Sequence, residues 1–333
     1  MRFEVGENEA GRRLDRVLKK ILKGASLSFI YRIIRKDVKV NGKRATGEAL
    51  LVPGDIVEIF LPEEQIREFG QRGRPDLPAA KKQFDVVFED ESVLVVNKPF
   101  GLLTHGDAVE KKNTLANQVV AYLAETGVYV PGGTKTFTPA PASRLDRNTT
   151  GLVMFGKTLP AARDLAVMLS GMEGGNAYVE KAYLTIVVGE IKAPMTLKAR
   201  MVREEGKNLT KVLPEASDEG RTMVTDIKPL ATGKGYTLVE ARLLTGRTHQ
   251  IRAQLAEAGC PVIGDRKYGD TTANRMASQK YGLTTQLLHA YRLTIKGGAG
   301  SLEYLKGKTF RAKPPARFEG IMEDLGCGTK MKS

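Results

Sequence analysis

Apolar positions between residues 11 and 60 recur in two rhythms. Leu14, Val17, Leu18, Ile21 and Leu22 fall three and four apart, which places them on one face of a helix. Ile30, Ile33 and Ile34 repeat that spacing in a second helix, for which Ser28 is the expected N-cap. The rhythm then shortens. Val38-Lys39-Val40 alternates, Asn41-Gly42 is a tight-turn pair, Leu51 to Asp55 punctuates, and Ile56 to Phe60 reads as a strand. Pro62 to Lys82 is polar, with Gly70, Gly73, Pro75 and Pro78, and reads as a linker.

From Phe84 onward short strands and helices alternate. Val86 to Phe88 and Val93 to Val96 are apolar runs split by a turn at Glu89 to Ser92. Leu115 to Leu123 and Ala161 to Leu169 have helical spacing; Tyr183 to Val188, Thr237 to Leu243 and Leu293 to Ile295 read as strands. The expected organisation is a small unit over 1–61, a linker over 62–83, an α+β domain over 84–315, and a Gly- and Lys-rich, loosely ordered tail over 316–333.

Composition narrows the function. Hydrophobic residues make up 41% of the 333-residue chain, enough for a real core, and the absence of Trp makes that core mostly aliphatic. Lys and Arg exceed Asp and Glu by 14, a surplus that suggests a polyanionic partner. The surplus is concentrated. Twelve cations lie between Arg12 and Arg44 against only Asp15 and Asp37, without the mixed signs of an ordinary solvated helix face. Cys260 and Cys327 stand apart and in no zinc pattern, so no metal site is expected. Met1 to Glu9 is not a signal peptide, and no apolar run approaches the ~20 residues of a membrane span. The protein is expected to be soluble, cytoplasmic and monomeric.

Four segments of the larger domain carry candidate chemistry: Asn97 to Gly101, Arg144 to Leu152, Lys181 to Tyr183, and Leu244 to Arg252 followed by Gly264 to Gly269. Asp146 lies between two arginines before a Thr-Thr-Gly turn. Its local context reads first as a cap or turn residue. A catalytic role requires a cation to keep the acid ionised in a closed pocket, and a desolvated surface for a substrate. The third and fourth segments offer candidates for both. His249 and His289 read as structural, and His105 as a residue of a pocket mouth.

Arg144 to Gly151 resembles the Arg-Leu-Asp…Thr-Gly signature of the RluA-type RNA pseudouridine synthases. Thr245 to Arg252 is similar to that family's second signature, and the runs at 95–101 and 264–269 match in order and spacing. Residues 11–60 resemble the S-four-type RNA-binding domain fused in front of such enzymes, through Arg13-Leu14-Asp15 and Val40-Asn41-Gly42. The resemblance implies a small α/β RNA-binding domain and a catalytic domain with a mixed, mainly antiparallel sheet flanked by helices and loops. It also implies roles. Asp146 is the nucleophile, Arg144 enters the helical stack in place of the flipped uridine, Tyr183 packs on the target base, Arg247 pairs with the Asp146 carboxylate, and Ile251 lines the pocket. Arg13, Arg16, Arg32, Lys36 and Lys43 are the expected RNA contacts. Extruding a stacked uridine costs a few kcal/mol, and a carboxylate that attacks the sugar carbon needs no metal or cofactor. Two positions depart from the pattern: Ser143 stands where many members have His, and Thr150 where Ser is common.

The expected partner is structured RNA, by the resemblance 23S large-subunit ribosomal RNA, with transfer RNA as the alternative for the same chemistry. Two other readings compete: a non-catalytic RNA-binding factor in ribosome assembly, and a carboxylate glycosidase. Retaining glycosidases use paired carboxylates, and only Asp146 stands out here.

Overall fold

The computed structural model describes residues 1–6, 8–71, 81–129, 137–170, 178–204 and 209–328. In the N-terminal unit, β1 (Arg2–Glu4), α1 (Leu14–Ile21), α2 (Leu27–Lys36), β2 (Val38–Val40) and β3 (Ile56–Ile59) enclose one core. Leu14, Leu18, Ile30, Ile33, Val57 and Ile59 are fully buried in it. The three strands order as β1-β3-β2. Ser26, not Ser28, caps α2: its hydroxyl accepts the Phe29 N–H at 3.2 Å, and Ser28 already lies inside the first turn. Asn41 and Gly42 both take positive φ, as a tight turn demands. The turn closes only the Val40–Lys43 bridge, however, and the strand partner of β2 is β3.

The first part of the expected linker is folded. Residues Glu63–Gln71 form α3, whose Ile66 and Phe69 pack on the N-terminal core, the Phe69 ring 4.8 Å from Phe29. Its polar composition is that of a helix with one buried stripe. Gly73, Pro75 and Pro78 lie outside the described residues.

The larger domain continues with β4 (Asp85–Glu89), β5 (Val93–Lys98), α4 (Leu115–Glu125), β6 (Ala140–Pro141), β7 (Thr150–Gly156), α5 (Leu159–Ser170) and β8 (Val179–Val188). Then come β9 (Met195–Glu204), β10 (Leu209–Leu213), β11 (Arg221–Gly233), β12 (Tyr236–Leu243), α6 (Gln250–Glu257) and α7 (Thr271–Tyr281). Last are β13 (Leu288–Ile295), a short 3-10 helix (Gly300–Leu305), β14 (Thr309–Arg311) and α8 (Ala316–Asp324). One mixed sheet runs β10-β9-β11-β12-β8-β13-β7-β5-β4, with β14 on β13 and β6 on β7. Its pairs are antiparallel except β13 with β7.

The central strands are apolar without alternation because both faces are covered. In β5 and β7, Leu94, Val96, Val153 and Phe155 face one core; Val93, Val95, Leu152 and Met154 face the other. Gly151 sits at the parallel seam with φ 111°, and a Cβ there would lie 2.2 Å from the Ala290 carbonyl oxygen, so only glycine fits. Residues 316–328 of the expected loose tail are packed, with α8 over Ala316–Asp324. Phe318, Ile321, Met322 and Leu325 are buried against Leu184, Ile186 and Leu238 of the sheet. No helix among the described residues is long and apolar enough to cross a membrane.

Candidate active site

The loop from β6 into β7 is fastened through its backbone, which leaves one carboxylate presented. Thr104 Oγ1 donates to the Leu145 carbonyl at 2.8 Å and accepts the Leu145 N–H at 3.2 Å, and the Leu145 side chain enters the core. Lys98, at the end of β5, is fully buried. Its Nζ donates to the carbonyls of Leu102 (2.8 Å), Arg147 (3.0 Å) and Pro99 (3.1 Å). Burial pushes this amine down to about 7, with Asp146 acting in the opposite direction. Lys98 thereby ties the Asn97 to Gly101 turn to the Arg147 side of the loop.

Asp146 keeps 30% of its side chain exposed, and Oδ2 accepts a hydrogen bond from Arg252 Nη1 at 3.0 Å. Arg252 stands on α6, and its other edge forks onto Asp265, with Nε to Oδ2 at 2.5 Å and Nη2 to Oδ1 at 2.8 Å. Asp265 is fully buried and also accepts the N–H groups of Lys267 and Tyr268. Burial works against both charges, but the mutual bonds outweigh it, so the Arg252 pKa is raised and the Asp265 pKa lowered. One guanidinium therefore carries an inner carboxylate that is fully buried and an outer one that opens on solvent.

His249 precedes α6 in the left-handed conformation, φ 55°. That turn sets Nε2 3.8 Å from Asp146 Oδ2 and Nδ1 3.0 Å from the Tyr268 hydroxyl. The hydroxyl oxygen also accepts the Thr210 N–H of β10 at 2.7 Å. Burial lowers the His249 pKa against the pull of Asp146, so the ring is neutral near pH 7. Tyr183 on β8 is buried with its pKa raised, first by burial and then by the Asp146 charge, so it stands as a neutral phenol beside the carboxylate.

Asp146, Tyr183, His249 and Arg252 line an open cleft of about 1060 Å³. It brings together all five residues expected at a catalytic site: Arg144, Asp146, Tyr183, Arg247 and Ile251. One expected pairing is different. Arg247 directs Nε toward the Thr222 carbonyl at 3.4 Å, and the cation on Asp146 is Arg252. Arg247 precedes the helix on its exposed side, whereas Arg252 lies inside α6 and points into the domain. His105 lines the cleft, its pKa lowered by burial and by Arg144. His289 is the hydrogen-bonded core residue expected of it: Nε2–H donates to the Ala312 carbonyl and Nδ1 accepts from the Thr150 hydroxyl at 2.7 Å. Thr150 thus keeps the hydroxyl that Ser would bring. Among the described residues no three His, Cys, Asp or Glu converge as a metal site would require.

On the N-terminal unit Arg16, Arg32, Lys36 and Lys43 are exposed. Arg32 lies over the Phe29 ring at 4.7 Å. Arg13 is committed inward: Nε and Nη2 hold Asp15 at 3.2 and 2.8 Å, with Glu48 at 3.3 Å. Asp15 also accepts from the Tyr31 hydroxyl, so this Arg-Leu-Asp run braces the unit.

A fastened loop that offers one carboxylate beside a neutral phenol, in a cleft rimmed by arginines, defines an enzyme of carboxylate chemistry on a polyanionic substrate. Comparison with known proteins gives the class a name. The chain belongs to the RNA pseudouridylate synthase family and is an isomerase of that kind; the family's sequence model matches residues 92–257. It is 32% identical over 340 aligned residues to the ribosomal large subunit pseudouridine synthase C of Pasteurella multocida (strain Pm70), covering 99% of this chain and 94% of that protein. To the protein of the same description from Escherichia coli (strain K12) it is 32% identical over 299 residues, 86% of this chain and 85% of the other. Among solved structures, human RNA Pseudouridylate Synthase Domain Containing 4 shares the fold with a TM-score of 0.56 at 22% identity, covering 72% of this chain and 92% of that one.

Proposed function

We propose that this protein converts specific uridines of 23S large-subunit ribosomal RNA to pseudouridine, with Asp146 as the nucleophile. The observation that carries the reading is the Arg252–Asp146 bond at 3.0 Å in a cleft shared with Tyr183 and Arg144. Arg252 holds the carboxylate in place, while its second partner, Asp265, prevents it from following the substrate. The target uridine must leave its stack to reach Asp146. Arg144, exposed at the cleft, fills the vacated place by stacking and phosphate contact. Tyr183 lies flat against the extruded base, with Ile251 closing the apolar side. The carboxylate attacks the sugar carbon as the glycosidic C–N bond breaks, the freed uracil rotates, its C5 bonds to the sugar carbon as the Asp146 oxygen leaves it, and the uracil regains neutrality by losing the C5 proton to water and taking one up at N1.

Large-subunit RNA is the substrate that the names of the similar proteins give. The cations of residues 1–61 form the surface that holds that RNA, and the S-four-type resemblance of this unit supports the same role. The protein works as a monomer in the cytoplasm, where ribosomal RNA is assembled.

Release of tritium from 5-tritiated uridine follows the C5 step directly. A transcript of large-subunit RNA should release it with wild-type protein. Asp146→Asn should lower the rate by roughly 10⁴-fold or more while RNA binding is retained. Release from transfer RNA and none from large-subunit RNA would move the substrate assignment; release undiminished in the Asn variant would end the assignment of Asp146.

A further inference from the structure

Lys181 takes no part in the chemistry above. It lies on β8 two residues before Tyr183, and unbroken pairing from Lys181–Leu243 to Val188–Tyr236 keeps both side chains on one face of the sheet. Both line the cleft. Lys98, the other lysine sunk in this region, spends its amine on three carbonyls. The Lys181 amine makes no hydrogen bond or ion pair among the described residues. Burial alone pushes it down to about 8. The Asp146 charge, felt by both Tyr183 and Lys98, is not among its influences. A half-buried ammonium without an acceptor is costly unless a ligand supplies one. The base and sugar of a uridine are neutral, so the only anion that RNA offers this cleft is a phosphodiester.

We propose that Lys181 seats a backbone phosphate flanking the extruded uridine, so that the nucleotide is held at the base by Tyr183 and at its phosphate by Lys181. This rests on the proposed chemistry at Asp146 and adds the residue that binds the substrate's charge. Lys181 is a substrate-binding residue: it holds the substrate's charge equally before and during reaction, and does not touch the reacting atoms.

Binding tests this independently of turnover. The probe is a short synthetic uridine-bearing stem-loop of large-subunit RNA that the wild-type protein binds, titrated into the Asp146→Asn protein. Adding Lys181→Gln should weaken binding about tenfold. It should also reduce the slope of log affinity against log salt by about one. Lys181→Arg, which keeps the charge, should bind like the parent. Replacing single flanking phosphates by neutral methylphosphonates should identify one linkage whose loss weakens binding when Lys181 is present and has no further effect in the Gln variant. In the active protein, Lys181→Gln should raise KM with kcat little changed. Unchanged affinity and slope, an Arg variant as weak as the Gln variant, or a fall in kcat at constant KM would each overturn the proposal. Absence of turnover by wild type would instead fell the proposed function, and the binding result would still decide on Lys181.

Discussion

Arg252 holds two carboxylates, and they ask different things of it. Asp265 is fully buried and accepts four hydrogen bonds, so this half of the arrangement is structural. Asp146 is partly exposed and takes one guanidinium nitrogen, so this half is free to meet a substrate. Arg252→Met strands a buried carboxylate, and denaturant unfolding should show a loss of about 3–5 kcal/mol together with loss of turnover. Arg247→Met leaves the Arg252–Asp265 pair intact and should cost clearly less than Arg252→Met in the same titration, under about 2 kcal/mol. Asp146, Tyr183 and the motif around both arginines were legible in the sequence. Which arginine reaches the carboxylate was not, because that depends on where α6 begins and on the left-handed turn at His249. His289 makes a pH prediction. Its pKa falls from 6.5 to about 4 because burial disfavours the cation. Between those values the unfolded chain binds a proton that the folded one refuses. The contribution of His289 is therefore complete above pH 6.5 and lost as pH falls toward 4, about 3 kcal/mol in all. Compared with wild type, His289→Gln should show a flatter loss of stability across that window in denaturant titrations.

At the scale of elements, strong periodicity was readable and weak periodicity was not. The helices α1, α2, α4 and α5 and the buried strands β5, β8 and β12 follow from runs that keep one rhythm over several residues. The strands β9, β10 and β11 carry Lys, Arg and Thr on exposed positions, which dilutes the alternation that marks a strand. The helices α3 and α8 were hidden by composition. Acids surround Ile66 and Phe69, and Arg317, Glu319, Gly320, Glu323 and Asp324 surround Phe318, Ile321 and Met322. α8 offers the sharper check. If it is the sheet's cover, Phe318→Ala should cost about 3–5 kcal/mol in chemical denaturation; a change under about 0.5 kcal/mol is what a loose tail would give.

For the whole molecule, charge and chemistry occupy different parts of the chain. The first 44 residues hold most of the net positive charge, and the carboxylate lies a hundred residues later, on the loop between β6 and β7. The arrangement lets affinity and turnover be altered separately. Changing Arg16, Arg32, Lys36 and Lys43 together to Ala should weaken RNA binding and lower its salt slope by about one for each phosphate no longer neutralised, with kcat at saturating RNA nearly unchanged. Arg13→Ala should instead act mainly on stability, since Arg13 is bonded to Asp15 and Glu48. The central claim, that Asp146 makes pseudouridine in large-subunit ribosomal RNA, is tested most directly in the cell. Pseudouridines are mapped in total RNA from cells lacking this gene, complemented with wild type or with Asp146→Asn. The account predicts that particular large-subunit sites vanish on deletion and return only with wild type. Sites that never change, or that return equally with the Asn variant, would contradict it.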